Sequence, residues 1–413
     1  MKKERKSHSM VIRNVVKLII PLIPVFFLAS KAVAQDETKS KSLEVYGFAM
    51  MDMGYDLKQI DPRWFDALRI TKLPKYKDQF APDGKVFFGV RQTRFGVAGY
   101  SPTPLGDLKV VYEFDMFGVG ADEGNTTMRL RHAYGEVGKF LAGQTNSPFM
   151  DGDVWPNTLE YWGPTGMVFY RNVQVRFAPM KGTNEVFIAL ERPGASADKG
   201  SFAERTELDS VRGQNAVPDV SAHYKRTGSW GHVQISGMYR NIKWKDIHTT
   251  GGYDLSGSVT GWGAHISTAL NLTKSTIFRG SFVYGEGIQN YMQDAPIDVG
   301  VVPKGNSVDG KALPITGIHA WIDHNWNDKW WTSLGYSSAT IDNTDFSAPD
   351  AYKMGQYAML TIGVTPFKNA MAGIEFQYGK RENENGFSSD EQKIHISFKY
   401  NFSQTFYLDK NRD

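Results

Sequence analysis

The sequence predicts an all-β fold: a transmembrane antiparallel β-barrel of about 16 strands with an inward-folded constriction loop. Three observations lead there. Segments of alternating apolar and polar residues recur along the chain, as strands with one greasy and one wet face require. Their connections switch between short and long. Thr227-Gly228-Ser229-Trp230, Leu272-Thr273-Lys274-Ser275 and Asn327-Asp328-Lys329 are short; Leu57 to Lys85, Thr145 to Met167, Pro193 to Pro218 and Gly287 to Leu313 are long. A soluble sandwich has no reason to gather its long loops at one end, whereas a membrane barrel has tight turns on one side and long loops on the other. The third observation is the start of the chain, which reads as an export leader.

Residues 1–34 are read as a signal peptide. Lys2, Lys3, Arg5, Lys6, Arg13 and Lys17 form a basic start, Leu18 to Ala29 is apolar, and Ala32-Val33-Ala34 is a small-residue cleavage site. The apolar run is too short to span a membrane, and Pro21 and Pro24 would break a spanning helix. Residues 35–42 are expected to be a short polar lead-in, 43–402 the barrel, and 403–413 a C-terminal extension. The chain carries 47 Lys+Arg and 44 Asp+Glu; without the leader's seven basic residues and one acidic residue, 40 and 43 remain, a net charge of −3. No basic surface for nucleic acid is implied. Cysteine is absent, which excludes disulfides and thiolate metal sites. A mean hydropathy of −0.39 excludes a helical membrane protein but not a barrel, whose strands are apolar at alternate positions only. The 41 glycines and the 25 Phe, 19 Tyr and 10 Trp suit a curved sheet with aromatic girdles.

In chain order the strands are expected near 43–55, 86–100, 107–117, 127–137, 139–145, 168–178, 184–192, 219–226, 231–242, 259–271, 276–286, 314–326, 329–340, 352–364, 370–380 and 391–402. The clearest is the last, where Ile394, Ile396, Phe398, Tyr400 and Phe402 alternate with His395, Ser397, Lys399 and Asn401. In the third, Leu108, Val110, Tyr112, Phe114 and Met116 oppose Lys109, Glu113 and Asp115. The sixth sets Val173, Val175 and Phe177 against Asn172, Gln174 and Arg176, and the seventh sets Val186, Ile188 and Leu190 against Glu185 and Glu191. Near the turn at Asn327, the indoles of Trp326, Trp330 and Trp331 suit a headgroup boundary. An even count fits a bacterial barrel with both termini on one side.

So wide a barrel cannot be filled by its own side chains, so the lumen is expected to hold water and to need narrowing. The long segment after the fifth strand is the candidate constriction, with Gln144, Phe149, Asp151 and Asp153, then Trp155-Pro156 and Gly163-Pro164. Charges in the inward phase set selectivity. Arg94 stands opposite Phe95 and Val97; Arg129 and Arg131 opposite Leu130 and Tyr134; Arg176 opposite Val175 and Phe177; Arg279 opposite Phe278 and Phe282. Glu113 and Asp115 share the inward phase of the third strand. Arginine offers a planar fork that matches carboxylates, so a lumen rich in inward Arg favours small organic anions. The competing reading is that these groups pair with one another and stiffen the wall. His132, His223, His319 and His395 lie on different strands with no triad spacing, and no cofactor or metal site is indicated. A calcium ion at Asp122-Glu123 or Asp151-Gly152-Asp153 is weighed, but solvated loop charge explains those acids.

Several runs resemble the DcaP-like porin family of Gram-negative outer membranes. Arg91-Gln92-Thr93-Arg94-Phe95-Gly96 resembles its second-strand signature. Gly143-Gln144-Thr145 through Phe149-Met150-Asp151-Gly152-Asp153 to Gly163-Pro164 resembles its constriction segment. Tyr378-Gly379-Lys380-Arg381-Glu382 and a closing strand ending Tyr400-Asn401-Phe402 resemble its C-terminus. The resemblance implies a homotrimer of sixteen-stranded barrels in the outer membrane, in contact with its lipid, taking up anionic solutes such as dicarboxylates and aromatic acids. It implies Arg94 and Arg176 as pore-lining residues, with Gln144 and Asp151 in the loop. Two departures stand out: Ser403 to Asp413 follow the terminal aromatic, and Gln35 to Ser42 is too short for the helical N-terminal stretch of many members. Two other functions are carried as alternatives, a barrel hydrolase acting on lipids and a surface adhesin or receptor; stepwise current in a planar bilayer separates a pore from both.

Overall fold

The structure, a computed structural model, describes residues 41–248 and 254–408. The expected leader lies outside the described residues, as does the lead-in except for Lys41 and Ser42, which open the first strand. Sixteen strands of the described residues form the wall: β1 Lys41–Asp56, β2 in two pieces, Lys85–Gly89 and Arg94–Thr103, β3 Gly106–Phe117, β4 Thr126–Val137, β5 Phe140–Asn146, β6 Arg171–Met180, β7 Asn184–Glu191, β8 Asp219–Gly228, β9 Gly231–Asp246, β10 Gly257–Asn271, β11 Thr276–Glu286, β12 Pro314–Asn325, β13 Trp330–Ile341, β14 Tyr352–Val364, β15 Ala370–Asn383 and β16 Ser388–Leu408. Each pairs antiparallel with the next. β16 pairs with β1 from Lys41↔Leu408 to Asp56↔Lys393, which closes the barrel and leaves no sheet edge at the seam.

The period-two reading holds on the wall. On β16, Lys393, His395 and Ser397 are buried inside while Phe398, Tyr400 and Phe402 are exposed outside. Tight turns sit at the end that holds Lys41 and Leu408, and the long loops sit at the other. β16 continues six pairs beyond Phe402, so the wall reaches Leu408 rather than ending at the aromatic.

One phase assignment is corrected. The β3–β4 register shifts between Glu113 and Phe114, placing Glu113 opposite His132 but Phe114 opposite Leu130. That bulge inserts one residue and flips every side chain beyond it. Tyr134 therefore shares the lumen face with His132 instead of facing out with Leu130.

The lumen is less watery than the sequence reading expects. Three long loops, 57–84, 147–170 and 287–313, turn inward and contribute Trp64, Leu68, Ile70, Phe149, Val168, Tyr291 and Met292 to one apolar cluster. Inward wall residues Val283, Ile315, Trp321, Tyr357 and Met359 complete it. Each large buried apolar side chain contributes about 1.5–3 kcal/mol, so these loops are fixed parts of the fold. Two small elements were not expected. A hairpin, Val299–Lys304 with Ser307–Ala312, caps the mouth, and Val211–Gly213 extends the edge of β9.

Candidate solute pathway

The loop after β5 is held on every side. Its first turn docks against β8 to β10: the Phe149 carbonyl accepts from Ser236 Oγ at 2.8 Å and faces His265 Nδ1 at 3.0 Å. The Met150 carbonyl accepts from Gln234 at 3.0 Å. Asp151 meets His232 Nε2 and Ser267 Oγ, each at 2.7 Å, and Lys225 at 3.2 Å. Burial opposes ionisation of Asp151, but the His232 bond and the Lys225 charge outweigh it and hold the carboxyl below its ordinary range. The loop then crosses the lumen. Leu159 N–H donates to Glu375 at 2.8 Å, Gln92 donates to the Leu159 carbonyl at 2.8 Å, and Tyr161 donates to Asp115 at 2.5 Å. Gly166 N–H returns to Ser337 on β13 at 2.8 Å, where an added Cβ would lie 2.1 Å from the Ser338 carbonyl.

Docking leaves open space along the wall formed by β16 and β1–β6. There a cavity of 770 Å³ is bounded by Arg94, Arg129, Arg131, Arg171 and Lys399 on the wall side and by Arg69, Glu160 and Trp162 on the loop side. Arg129 holds Asp115 at 3.1 and 2.8 Å. Arg131 holds Glu113 at 2.8 Å and Asp115 at 2.9 Å. Arg69 lies between the rings of Trp64 and Trp162, 4.5 and 4.4 Å from their centroids, and bonds Asp294 at 2.8 Å. Arg94 is different: its Nε is 3.7 Å from Glu113, has no hydrogen bond, and the guanidinium lies 5.1 Å from the Phe48 ring. Lys399 shares that ring at 5.1 Å. Glu160 is neutral at pH 7, because burial and then the nearby Glu375 charge push its carboxyl up to about 8. Six cations thus face the carboxylates of Glu113, Asp115 and Asp294, a net positive chamber with aromatic walls at Trp155, Tyr161, Trp162, Phe169 and Tyr170. In a confined space with low-dielectric walls such an excess draws anions strongly.

Below it a vestibule of 350 Å³ is lined by Tyr46, Tyr100, Lys109, Glu113 and Tyr134. His132 and Asn146 line both it and the chamber. Both cavities lie toward one side of the barrel.

Of the residues singled out from the sequence, Arg94, Arg129, Arg131, Glu113 and Asp115 come together at this chamber. Arg176 does not. It lies lower on β6, over the Phe187 ring at 4.1 Å and 3.9 Å from Glu136. Arg279 clamps the loop instead, bonding Asp323 at 2.6 Å and the Asp153 carbonyl. Phe149 and Asp151 are buried anchors, and Asp153 is exposed and held by Lys225. Gln144 belongs to β5 rather than to the loop, and donates to the carbonyls of Leu130 and Arg131, each at 3.2 Å. Donor atoms of Asp151, Asp153 and His232 lie within 4.8 Å of one another, but the Lys225 ammonium bonds both carboxylates and takes the place a cation would need. The histidines weighed for catalysis do not converge on the chamber, apart from His132: His223 bonds the Pro148 carbonyl, His319 faces Ser281 and His395 faces Asp52. Sequence reasoning missed Arg69, Arg171 and Lys399. Lys399 was legible from the alternation on β16; Arg69 sits in a loop with no period to read.

A model of the DcaP outer membrane protein family matches residues 28–402. No curated protein matches significantly. Among solved structures, the outer membrane channel DcaP of Acinetobacter baumannii is similar at a TM-score of 0.73 and 20% identity, covering 90% of this chain and 100% of that one. A trimer form of OmpT from Vibrio cholerae is similar at 0.53 and 12%, covering 88% and 100%. An anion-selective porin from Comamonas acidovorans is similar at 0.54 and 9%, covering 88% and 100%. These likenesses bear on the fold.

Proposed function

The chain belongs to the DcaP outer membrane protein family and is a porin of the Gram-negative outer membrane; on that premise we propose that it passes small organic anions, dicarboxylates among them, and works as a homotrimer. One observation carries the anion preference: the chamber is lined by Arg69, Arg94, Arg129, Arg131, Arg171 and Lys399, with too few carboxylates to neutralise them. Arg94 is the residue best placed to meet a passing carboxylate, because its side chain is 26% exposed and its guanidinium makes no hydrogen bond to the described residues. The aromatic walls suit solutes whose carboxylates are carried on a flat or apolar body. Family and fold point to a channel without enzymatic chemistry rather than to a lipid hydrolase.

The test is a planar bilayer under a tenfold salt gradient. The purified protein gives stepwise currents whose reversal potential has the anion sign. Arg94→Ala moves that potential toward cations by on the order of 10 mV. A cation-signed potential in the unmodified protein would reject the proposed preference while leaving the porin in place.

A further inference from the structure

A basic patch stands on the outer face of the barrel, at the long-loop end of β9. Along this strand His232, Gln234, Ser236, Met238 and Arg240 are buried inside, while Ile235 and Tyr239 are exposed outside. The outward phase therefore continues through Asn241, Lys243 and Lys245. The short strand Val211–Gly213 pairs with the end of β9 and sets Arg212 directly opposite Lys245. Paired residues of an antiparallel ladder point to the same side, so three cations share one outer face.

Folding alone does not account for this placement. Like charges directly opposite on neighbouring strands destabilise a sheet, and Lys243 adds a third charge two positions away. Compensation within the protein is thin. Lys245 is 3.9 Å from Asp254, and both side chains are more than half exposed. Arg212 donates to the carbonyls of Asp209 and Val211, at 2.6 and 2.9 Å, and the Asp209 carboxylate is held by Lys199. Neither Arg212 nor Lys243 has an ion pair among the described residues. Other cations at this end do: Lys58 meets Asp390 at 2.6 Å, Lys304 meets Asp309 at 2.7 Å and Lys353 meets Glu384 at 3.4 Å.

The patch also sits at a defined height. Tyr239 pairs with Trp262, both are exposed outward, and the Trp262 ring lies 5.7 Å from that of Tyr284. Such rings mark the headgroup boundary. Beyond them the outward cross-strand pairs turn polar, first Asn241 with Thr260, then Lys243 with Ser258. Four residues of strand rise about 13 Å, which a tilt of about 40° reduces to about 10 Å of height. Lys243 therefore stands level with the headgroups, and Lys245 and Arg212 just above it.

We propose that Arg212, Lys243 and Lys245 bind the phosphates of an anionic lipid of the outer leaflet, whose acyl chains lie on the apolar face of β9 and β10 below Tyr239 and Trp262. The inference rests on the placement of the chain in the outer membrane and goes beyond the proposed transport. A cation beside an anionic headgroup strengthens attachment about fivefold, so three make a site rather than a solvated face.

The full chain is purified, freed of lipid in detergent and mixed with diphosphorylated lipid A, and the lipid that elutes with the protein is counted by its fatty acids. The unmodified protein retains it. Arg212→Gln with Lys243→Gln and Lys245→Gln weakens retention at least about tenfold. Lys77→Gln with Lys304→Gln and Lys311→Gln removes the same charge from exposed positions and leaves retention unchanged. Heat-modifiable mobility checks the fold of each. Should the first triple variant fail to fold, Lys243→Gln alone, which lies in no ion pair, weakens retention about fivefold. Lipid A without its phosphates is retained poorly, and inorganic phosphate at the same concentration does not displace the intact lipid. Retention by the patch variants equal to that of the unmodified protein would overturn the proposal. So would equal loss in both triple variants, equal retention of the phosphate-free lipid, or displacement by inorganic phosphate. No current is read in any arm, so such a failure leaves the porin reading standing.

Discussion

Arg129 and Arg131 have their hydrogen bonds committed to Asp115, Glu113 and Tyr161, whereas Arg94 Nε has none. The two classes should respond differently to truncation. Arg94→Ala leaves no buried ion pair broken at close range, so it should change selectivity with little effect on stability. Arg131→Ala takes from Glu113 its close guanidinium partner and leaves the fully buried Asp115 with Arg129 and Tyr161; breaking a buried pair in such a network costs about 3–5 kcal/mol, and the less compensated negative charge also weakens anion preference. Thermal unfolding in detergent alongside reversal potentials separates the two: equal melting temperatures for both variants would defeat this assignment. Glu160 adds a pH term. Its carboxyl is neutral until about pH 8, so anion preference should decline as pH rises through 8 and a negative charge joins the chamber wall. The folded barrel keeps this proton where the unfolded chain loses it near 4.5, so the group's contribution to stability is greatest in acid and declines between those values. Glu160→Gln should abolish the selectivity step. It should also lower stability by about 1–3 kcal/mol, because the amide can accept from only one of the Leu68 and Gly163 N–H groups. A selectivity step that survives in Glu160→Gln places the titrating group elsewhere.

The loop of 147–170 is the element that narrows a wide barrel, and its return to the wall depends on Gly166. The backbone there approaches Ser338 and Ile318 so closely that an added Cβ would lie 2.1 and 2.5 Å from their carbonyl oxygens. Gly166→Ala should therefore lift the return segment off β12 and β13 while the Phe149–Asp151 anchor holds. Single-channel conductance should rise and its noise increase; unchanged conductance with unchanged noise would show that the wall yields instead. This element also marks how far sequence carries. The inward fold was legible because the segment is long yet rich in aromatics, which are costly to leave in solvent. Which side of the lumen it seals was not, because that is set by partners far along the chain: His232, His265, Glu375 and Ser337. The same limit explains Tyr134, whose phase was reversed by a bulge that leaves no mark in the local pattern. It explains Arg171 too, which lines the chamber from an outward phase only because the wall is interrupted beside it.

At the scale of the whole molecule, the wall was the most legible part, because two solvents impose it. Lipid outside and water or polar groups inside force a period of two on every spanning segment, and sixteen repetitions of that signal outweigh the ambiguity of any one. What the alternation could not give was the closure, which joins the two ends of the chain. It predicts a wall ending at Phe402, but β16 continues to pair with β1 through Leu408, from Tyr46↔Ser403 to Lys41↔Leu408. These six pairs begin the seam, and beyond Tyr400 β16 has β1 as its only strand neighbour among the described residues. A chain cut after Phe402 would leave residues 42–46 of β1 paired on the β2 side alone and Lys41 unpaired among the described strands. At about 0.5–1.5 kcal/mol for each hydrogen bond lost, the cut should remove several kcal/mol from the closed state. It should lower the temperature at which the compact, heat-modifiable form converts to the unfolded one. A chain cut after Leu408 serves as the control, since the seam pairs described here are all retained. Should both cuts convert at the temperature of the full chain, the pairs beyond Phe402 would contribute nothing to holding the barrel shut.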